Sequence, residues 1–332
     1  MSSIPWLTVM IPFHNVRPYL RGCVQSVLDQ ADGGVELLLL DDGSDDGSAR
    51  ELAGVVSAGR ARLLSRATRG GLAAARNTLL DHAQGRYHWF VDGDDWLAPQ
   101  AMARLRSILQ RWSPDLVMCD YRMHVEHRGL LHRLRREGHR STFGGTPHRL
   151  ISSREELLAG MLRRHQFQMW NKVVRRELWS DRGRFPALGT LSDVRPSLAL
   201  ALTARSLYYH PEAWVHYRRT GRSVLATTAA IDRADNRAHC LDGLKSRFGE
   251  ELARLDPPSR YLLASLAAGH FVQSARRAWR HEGVAAADRL RRYRLTLERE
   301  SPIPPDALPA LHRARGRWRA AWVLRRWLSR AA

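Results

Sequence analysis

The sequence predicts an α/β fold, a mainly parallel sheet flanked by helices, followed by a helical C-terminal region. Two patterns carry that reading. Over residues 1–120, short and almost wholly apolar runs alternate with stretches whose apolar residues recur at helical spacing. Strands without a polar face are buried on both sides, as strands of a parallel sheet are between layers of helices. After about residue 231 only helical spacing remains, broken near 256–258 and again at 301–309 by prolines.

The elements follow in order. Residues 7–11 (LTVMI) form an apolar run ending at Pro12, a buried strand. Residues 18–30 place Leu20, Cys23, Val24, Val27 and Leu28 at helix spacing. A second strand, 35–40 (VELLLL), runs into the turn-rich DDGSDDGS, and a short helix at 48–56 and a strand at 61–64 come next. Gly70 and Gly71 open a helix that lasts to Ala83. Residues 87–91 are a strand, 99–112 a helix and 116–119 a strand. Residues 121–150, with seven Arg and five His, read as an exposed connection or strand pair, and no histidine there has ligand spacing. A helix at 152–162 begins with Ser153 and Glu156 in capping-box spacing, and 170–174 and 206–217 are strand material. In open sheets of this kind ligands bind beyond the C-terminal ends of the strands. Residues 12–15, 41–48 and 92–95 all fall there.

Charge divides the chain. Residues 1–120 carry 12 Arg against 14 acidic residues, while the rest holds 41 of the 53 basic and 19 of the 33 acidic residues. All but two of the basic residues, Lys172 and Lys245, are arginine, which suits phosphate recognition and equally a GC-rich genome. Cys23, Cys119 and Cys240 are unclustered, which argues against a disulfide scaffold or zinc site and suits a reducing compartment. No secretory signal is expected in residues 1–12, and no apolar stretch reaches the ~18 residues that span a bilayer. The expected location is cytoplasmic.

Three polar stretches carry candidate chemistry. VDGDD places Asp92, Asp94 and Asp95 on one turn after a buried strand, a seat for a hard divalent cation such as Mg²⁺ or Mn²⁺, with Gly93 admitting close backbone approach. A phosphatase nucleophile would have Thr or Val where Trp96 stands, and would sit on the first strand. DDGSDDGS (41–48) can accept hydrogen bonds from a base or ribose, or simply cap the next helix. GGLAAARN (70–77) opens a helix and sets Arg76 about two turns in, where it could serve a diphosphate or stand on an ordinary surface helix.

LTVMIPFHN, LLLLDDGSDDGS, GLAAARN and FVDGDDWLAP, with WNKVVRREL (170–178) and LSDVRPSLAL (191–200), occur in an order that resembles the family-2 glycosyltransferases, over about residues 5–220. The resemblance implies a GT-A-type, Rossmann-like nucleotide-sugar fold, a divalent metal (Mn²⁺ or Mg²⁺) and inverting transfer. It implies a nucleotide-sugar donor, a UDP-sugar favoured, and a glycan or lipid-linked acceptor in bacterial envelope polysaccharide or lipopolysaccharide synthesis. Residues 1–120 would be the donor half, 121–225 the acceptor half and 226–332 a basic helical region. Position by position, it places Pro12, His14, Asn15, Asp41, Asp42, Arg76, Asn77, Asp92, Asn171 and Lys172 around the donor. His14 would lie against the base and Asp42 would accept the base N–H. Asp92 and Asp94 would hold the metal, with Asp94 the direct ligand, and Asp193 would be the catalytic base. Two positions depart from the pattern: Ser192 stands where the family commonly has Glu, and His14 where it has an aromatic residue.

Two other readings compete. A sugar-1-phosphate nucleotidyltransferase would need a glycine-rich loop after the first strand, where this chain has PFHNVRP. A basic nucleic-acid- or lipid-binding protein on an inactive transferase fold fits the charge, but no nucleic-acid module is present and specific nucleic-acid binding is not expected. Residues 313–332 (RARGRWRAAWVLRRWLSRAA) hold seven arginines, three tryptophans and no acid. They read either as a packed terminal helix or as an interfacial segment against anionic lipid on the inner face of the plasma membrane, with Trp318 and Trp322 on one face and Trp327 elsewhere.

Overall fold

The computed structural model describes residues 4–125, 138–220 and 228–332. It separates into two compact units, Met1–Ala187 with Thr203–Gly221, and Leu188–Leu202 with Arg222–Ala332. The break expected at residue 120 falls inside a strand, and residues 188–202 group with the C-terminal helices.

The first unit is built on one mixed sheet. Its strands are β1 (Leu7–Phe13), β2 (Val35–Asp41), β3 (Arg62–Ser65), β4 (Tyr87–Phe90), β5 (Trp96–Leu97), β6 (Leu116–Val125), β7 (Gly138–Arg140), β8 (Leu150–Ile151), β9 (Lys172–Arg175) and β10 (Leu207–Arg219). They run in the order β3-β2-β1-β4-β9-β6-β10-β5, with β7 on β6 and β8 on β10. The four strands β3, β2, β1 and β4 are parallel, as their apolar runs predict. Beyond them β6 and β10 form a further long parallel pair, so the mainly parallel expectation holds, while short antiparallel pairings make the sheet mixed. β9 enters antiparallel between β4 and β6, and β5 closes antiparallel on β10. The helices are α1 (Arg17–Leu28), α2 (Ala53–Ser57), α3 (Leu72–His82), α4 (Ala101–Trp112) and α5 (Arg154–Arg164). Ser153 caps α5, accepting from the Glu156 amide at 3.2 Å as its spacing predicts. Of the expected connection at 121–150, residues 126–137 lie outside those described, and the rest extends β6 and supplies β7 and β8.

A core of Leu7, Val9, Ile11, Leu20, Val24, Val27, Leu37, Leu39, Trp89, Leu105 and Val117 packs one sheet face against α1 and α4. Each is almost fully buried, and such side chains contribute about 1.5–3 kcal/mol apiece. That rigid block holds the loops leaving β1, β2 and β4.

The second unit is helical: α6 (Val194–Thr203, nearly all of it here), α7 (Ala230–His239), α8 (Leu244–Ala253), α9 (Pro257–Glu282), α10 (Ala287–Glu300), α11 (Leu308–Ala314) and α12 (Trp318–Arg330). Asp256 starts α9 by accepting from the Ser259 amide at 2.8 Å, with Pro257 at the first position, where its missing N–H is no loss. The terminal helix packs along one face and leaves two of its three tryptophans exposed. Ala321, Leu324, Trp327 and Leu328 are buried, while Trp318 and Trp322 stay 66% and 62% exposed beside exposed Arg319, Arg325 and Arg326. Among the described residues no helix is long and apolar enough to cross a membrane.

Candidate active site

Three loops meet at the C-terminal edge of the parallel strands, and specific side chains lock them together. Asn15, at the end of β1, sits at φ 53° and donates through Nδ2 to Asp45 at 2.8 Å, while its Oδ1 accepts from the Asp45 amide at 3.0 Å. The β1 loop is thereby stapled to the β2 loop. Asp41 is buried and closes that β2 loop, accepting from the Ser44 amide at 2.9 Å. Gly43 is required there: its φ is +75°, and a Cβ would lie 2.9 Å from the Arg69 amide nitrogen. His14 is held half-buried, its Nδ1 3.1 Å from the carbonyl oxygen of Asp42. Pro12 is buried within β1 opposite Leu40.

Asp42 is committed more deeply than the sequence suggests. One oxygen accepts from the Gly70 amide at 2.9 Å and from Arg66 at 3.1 Å, the other from the Gly71 amide at 2.7 Å. It is 3% exposed and organises the loop that opens α3.

The acidic loop after β4 divides its three carboxylates by environment. Asp92 is paired with Arg76 at 2.8 Å and keeps 23% of its side chain exposed. Asp94 is half-buried. Asp95 is fully buried and accepts from the Arg218 amide at 2.7 Å. Burial first, then the charges of Asp94 and Asp92, push its pKa well above the usual carboxylate range. Gly93 is needed for a reason other than ligand approach: a Cβ there would lie 2.8 Å from Phe13 Cβ, because the acidic loop packs directly on the end of β1.

Several expected donor contacts turn inward instead. The Arg76 guanidinium is 1% exposed, lies 5.6 and 5.5 Å from the ring centres of Phe90 and Phe185, and binds Asp92 rather than open space. It acts on the site through the acidic loop. Asn77 clamps the backbone of Phe185 from both sides, at 3.0 Å each way. Lys172 is buried, and its ammonium donates to the carbonyls of Gln166 and Gln168 and to Asn171 Oδ1 at 3.1, 2.7 and 2.7 Å. Asn171 is buried beside it. A charged amine this deep needs each of its three protons bound, and these oxygens bind them.

Sequence reasoning missed Arg218. Its Nε donates to the Asp94 carbonyl at 3.0 Å, and its guanidinium lies 4.7 Å from the ring centres of both Tyr19 and Trp96. Trp96 in turn stacks on His216, with centroids 4.9 Å apart and planes 3° from parallel, and His216 meets His124 at 2.8 Å. Burial, and then His124 and Arg122, lower the His216 pKa to about 4, so the imidazole is neutral at physiological pH. The alternation of polar and aromatic residues in 214–218 was the available signal, but it names no partner.

Asp193 belongs to the helical unit. It precedes α6, its carbonyl accepts from the Ser197 amide at 3.0 Å, and Ser192 Oγ lies 3.5 Å from its Oδ1. The three cysteines are buried and free.

The fold and the sequence both have known counterparts. S. aureus TarS, residues 1–349, in complex with UDP-GlcNAc, superposes with a TM-score of 0.70 over 96% of this chain and 89% of that one, at 17% identity. The sequence is 34% identical over 119 residues to the uncharacterized glycosyltransferase EpsJ of Bacillus subtilis, covering 36% of this chain and 34% of EpsJ. It is 28% identical over 221 residues to the putative glycosyltransferase EpsH of the same organism, covering 64% of this chain and 61% of EpsH. The putative teichuronic acid biosynthesis glycosyltransferase TuaG, also from B. subtilis, is 35% identical over 109 residues, 32% of this chain and 43% of TuaG. The match thus spans about a third to three fifths of the length of these relatives. Residues 8–176 match the family described as Glycosyl transferase family 2. That stretch is just over half of the 332 residues and takes in the loops that gather Asp41, Asp42, Asp92 and Asp94, and the chain belongs to glycosyl transferase family 2.

Proposed function

We propose that this chain transfers a sugar from a nucleoside-diphosphate sugar to an acceptor hydroxyl, with inversion, in the synthesis of a bacterial envelope glycan. The observation that carries the reading is the acidic loop: Asp92 and Asp94, partly exposed, at the C-terminal edge of the parallel strands beside the stapled β1 and β2 loops. Asp41, Asp42 and His14 border the same edge and are the residues nearest a base or ribose in this reading. The uridine nucleotide bound by TarS and the polysaccharide named for TuaG make a UDP-sugar and an envelope glycan the donor and product classes to test first.

The residues fit a divalent cation. Among the described residues no three His, Cys, Asp or Glu side chains surround one point. A pair of hard carboxylates suits Mg²⁺ or Mn²⁺, which complete their shells from a substrate's phosphates and water. Asp94, with Asp92, would hold it, and when bound it supplies neutralising charge for the departing diphosphate. The chain's own part is positional and basic. Arg76 and Arg218 fix the acidic loop from two sides. Asp193 takes the proton of the acceptor hydroxyl as that oxygen bonds to the anomeric carbon. The bond to the diphosphate oxygen breaks with its electron pair leaving on the diphosphate. One displacement inverts that carbon once.

In this reading the enzyme works at the cytoplasmic face of the plasma membrane on a glycan or lipid-linked acceptor. Exposed Trp318 and Trp322, flanked by arginines, would rest at the headgroup level. The experiment is a nucleotide-sugar panel: thermal stabilisation in Mn²⁺ identifies the donor, and NMR of the product reports its anomeric configuration. A retained configuration refutes inversion, and no stabilisation by any sugar nucleotide refutes the donor class.

A further inference from the structure

In the helical unit several carboxylates are matched to particular arginines. Arg289 pairs with Asp235 at 2.5 Å and Glu282 at 3.0 Å, Arg299 with Asp242 and Glu300 at 2.8 Å each, and Arg294 with Glu298 at 2.8 Å. A second set of arginines is left out of this matching. Arg276, Arg277 and Arg280 lie at positions i, i+1 and i+4 on α9, and Arg237 faces them from α7. They line a groove of about 430 Å³ whose floor is formed by the small residues Ala230 and Ala234. The two helices are tied at that floor by Ser274 Oγ, which donates to the Ala234 carbonyl at 2.8 Å. Among the described residues no carboxylate lies within ion-pair distance of these four guanidinium groups, and the groove lining holds no acid.

The arrangement costs stability as it stands. Arg237 is half-buried, and burial with the charge of Arg277 lowers its pKa, so the folded unit holds it charged against both desolvation and a like neighbour. The dipole of α9 accounts for Arg280 and His281, which stand in its last turn. It does not account for Arg237, Arg276 or Arg277. Guanidinium groups converging on a groove are matched by an anion with several oxygens that accept forked hydrogen bonds, and a phosphate or diphosphate group has that form.

We propose that this groove is a phosphate-binding site, separate from the donor site, for a phosphate or diphosphate group. Its neighbourhood favours a lipid-borne phosphate. Gln273 and Arg276 also line a second groove of about 580 Å³ along α9 and α12, whose wall includes Arg317, Arg319 and the exposed Trp318. The lipid source rests on the proposed membrane contact, and the phosphate site does not.

The test uses the full chain and the triple variant Arg276→Gln/Arg277→Gln/Arg280→Gln, all exposed positions where folding is insensitive to the change. Inorganic pyrophosphate is titrated calorimetrically in chelator, and UDP with Mn²⁺ separately. We expect the triple variant to bind pyrophosphate at least about tenfold more weakly, a difference of about 1.4 kcal/mol, with UDP affinity unchanged. Equal pyrophosphate affinity in the two proteins overturns the site. Co-sedimentation with phosphatidylcholine vesicles doped with phosphatidate then separates the sources. Pelleting of the wild type that pyrophosphate competes away assigns the groove to a lipid headgroup. Pyrophosphate binding without such competition assigns it to a soluble phosphate ligand, and the membrane contact then stands or falls on Trp318 and Trp322 alone.

Discussion

Replacing Arg76 with methionine keeps most of the side-chain volume and removes the charge that faces Asp92. At 2.8 Å the pair attracts by about 6 kcal/mol for an effective dielectric near 20, before either partner's desolvation is counted. Removing one partner of a buried pair costs about 3–5 kcal/mol, because the other charge is stranded. Asp92 keeps 23% of its side chain in contact with solvent, so water recovers part of the loss, and the lower end, about 3 kcal/mol, is expected. For a unit of this size that lowers Tm by roughly 6–12 °C. Asp92→Asn added to Arg76→Met should restore part of the loss, since the stranded charge is then gone. Mn²⁺ should stabilise Arg76→Met more than the wild type, because the partly exposed Asp92 carboxylate then lacks its guanidinium partner. Urea denaturation of the four proteins of this cycle measures each quantity. If Arg76→Met costs under about 1 kcal/mol while donor affinity falls tenfold, Arg76 serves the donor directly and the inward reading is wrong.

Asp193→Asn should leave donor binding intact while transfer falls by about 10²–10⁴-fold, the range for losing a general base; near wild-type turnover would exclude Asp193 from that role. Asp94→Asn should weaken Mn²⁺-dependent UDP binding measured calorimetrically, and full turnover of the wild type in excess chelator would remove the metal from the reaction altogether. His88 is buried in β4, and burial, then Arg176, lower its pKa to about 4. Because the folded state disfavours the charged ring, its contribution is fully present above about pH 6.5 and is lost as pH falls toward 4, up to about 3 kcal/mol. In His88→Leu the loss of stability between pH 7 and pH 4.5 should shrink accordingly, and an unchanged pH profile would contradict it. Trp318→Ser/Trp322→Ser should fold normally, since both rings are exposed, yet pellet less with anionic vesicles; equal pelleting would clear these residues of any lipid contact.

Local pattern decided much of this protein. Residues 7–13 and 35–41 are so uniformly apolar that they can only be buried strands, and the polar loops that follow them had to emerge at one edge of a parallel sheet. The acidic run at 92–95 marked the candidate site by itself, because three clustered carboxylates are unstable without a compensating cation or burial. How each carboxylate is compensated was not legible. Asp95 is buried on the Arg218 amide 123 residues away, Asp92 is paired with Arg76 16 residues back, and Gly93 is fixed by the approach of Phe13. Nor was the antiparallel entry of β9 between β4 and β6, which separates the parallel block β3-β2-β1-β4 from the parallel pair β6 and β10. Periodicity reports which residues are buried, since that depends on neighbours three or four positions away. The partner of a buried charge, or of a strand edge, is selected by which distant segment can reach it with its own polar groups satisfied, and only the closed chain determines that.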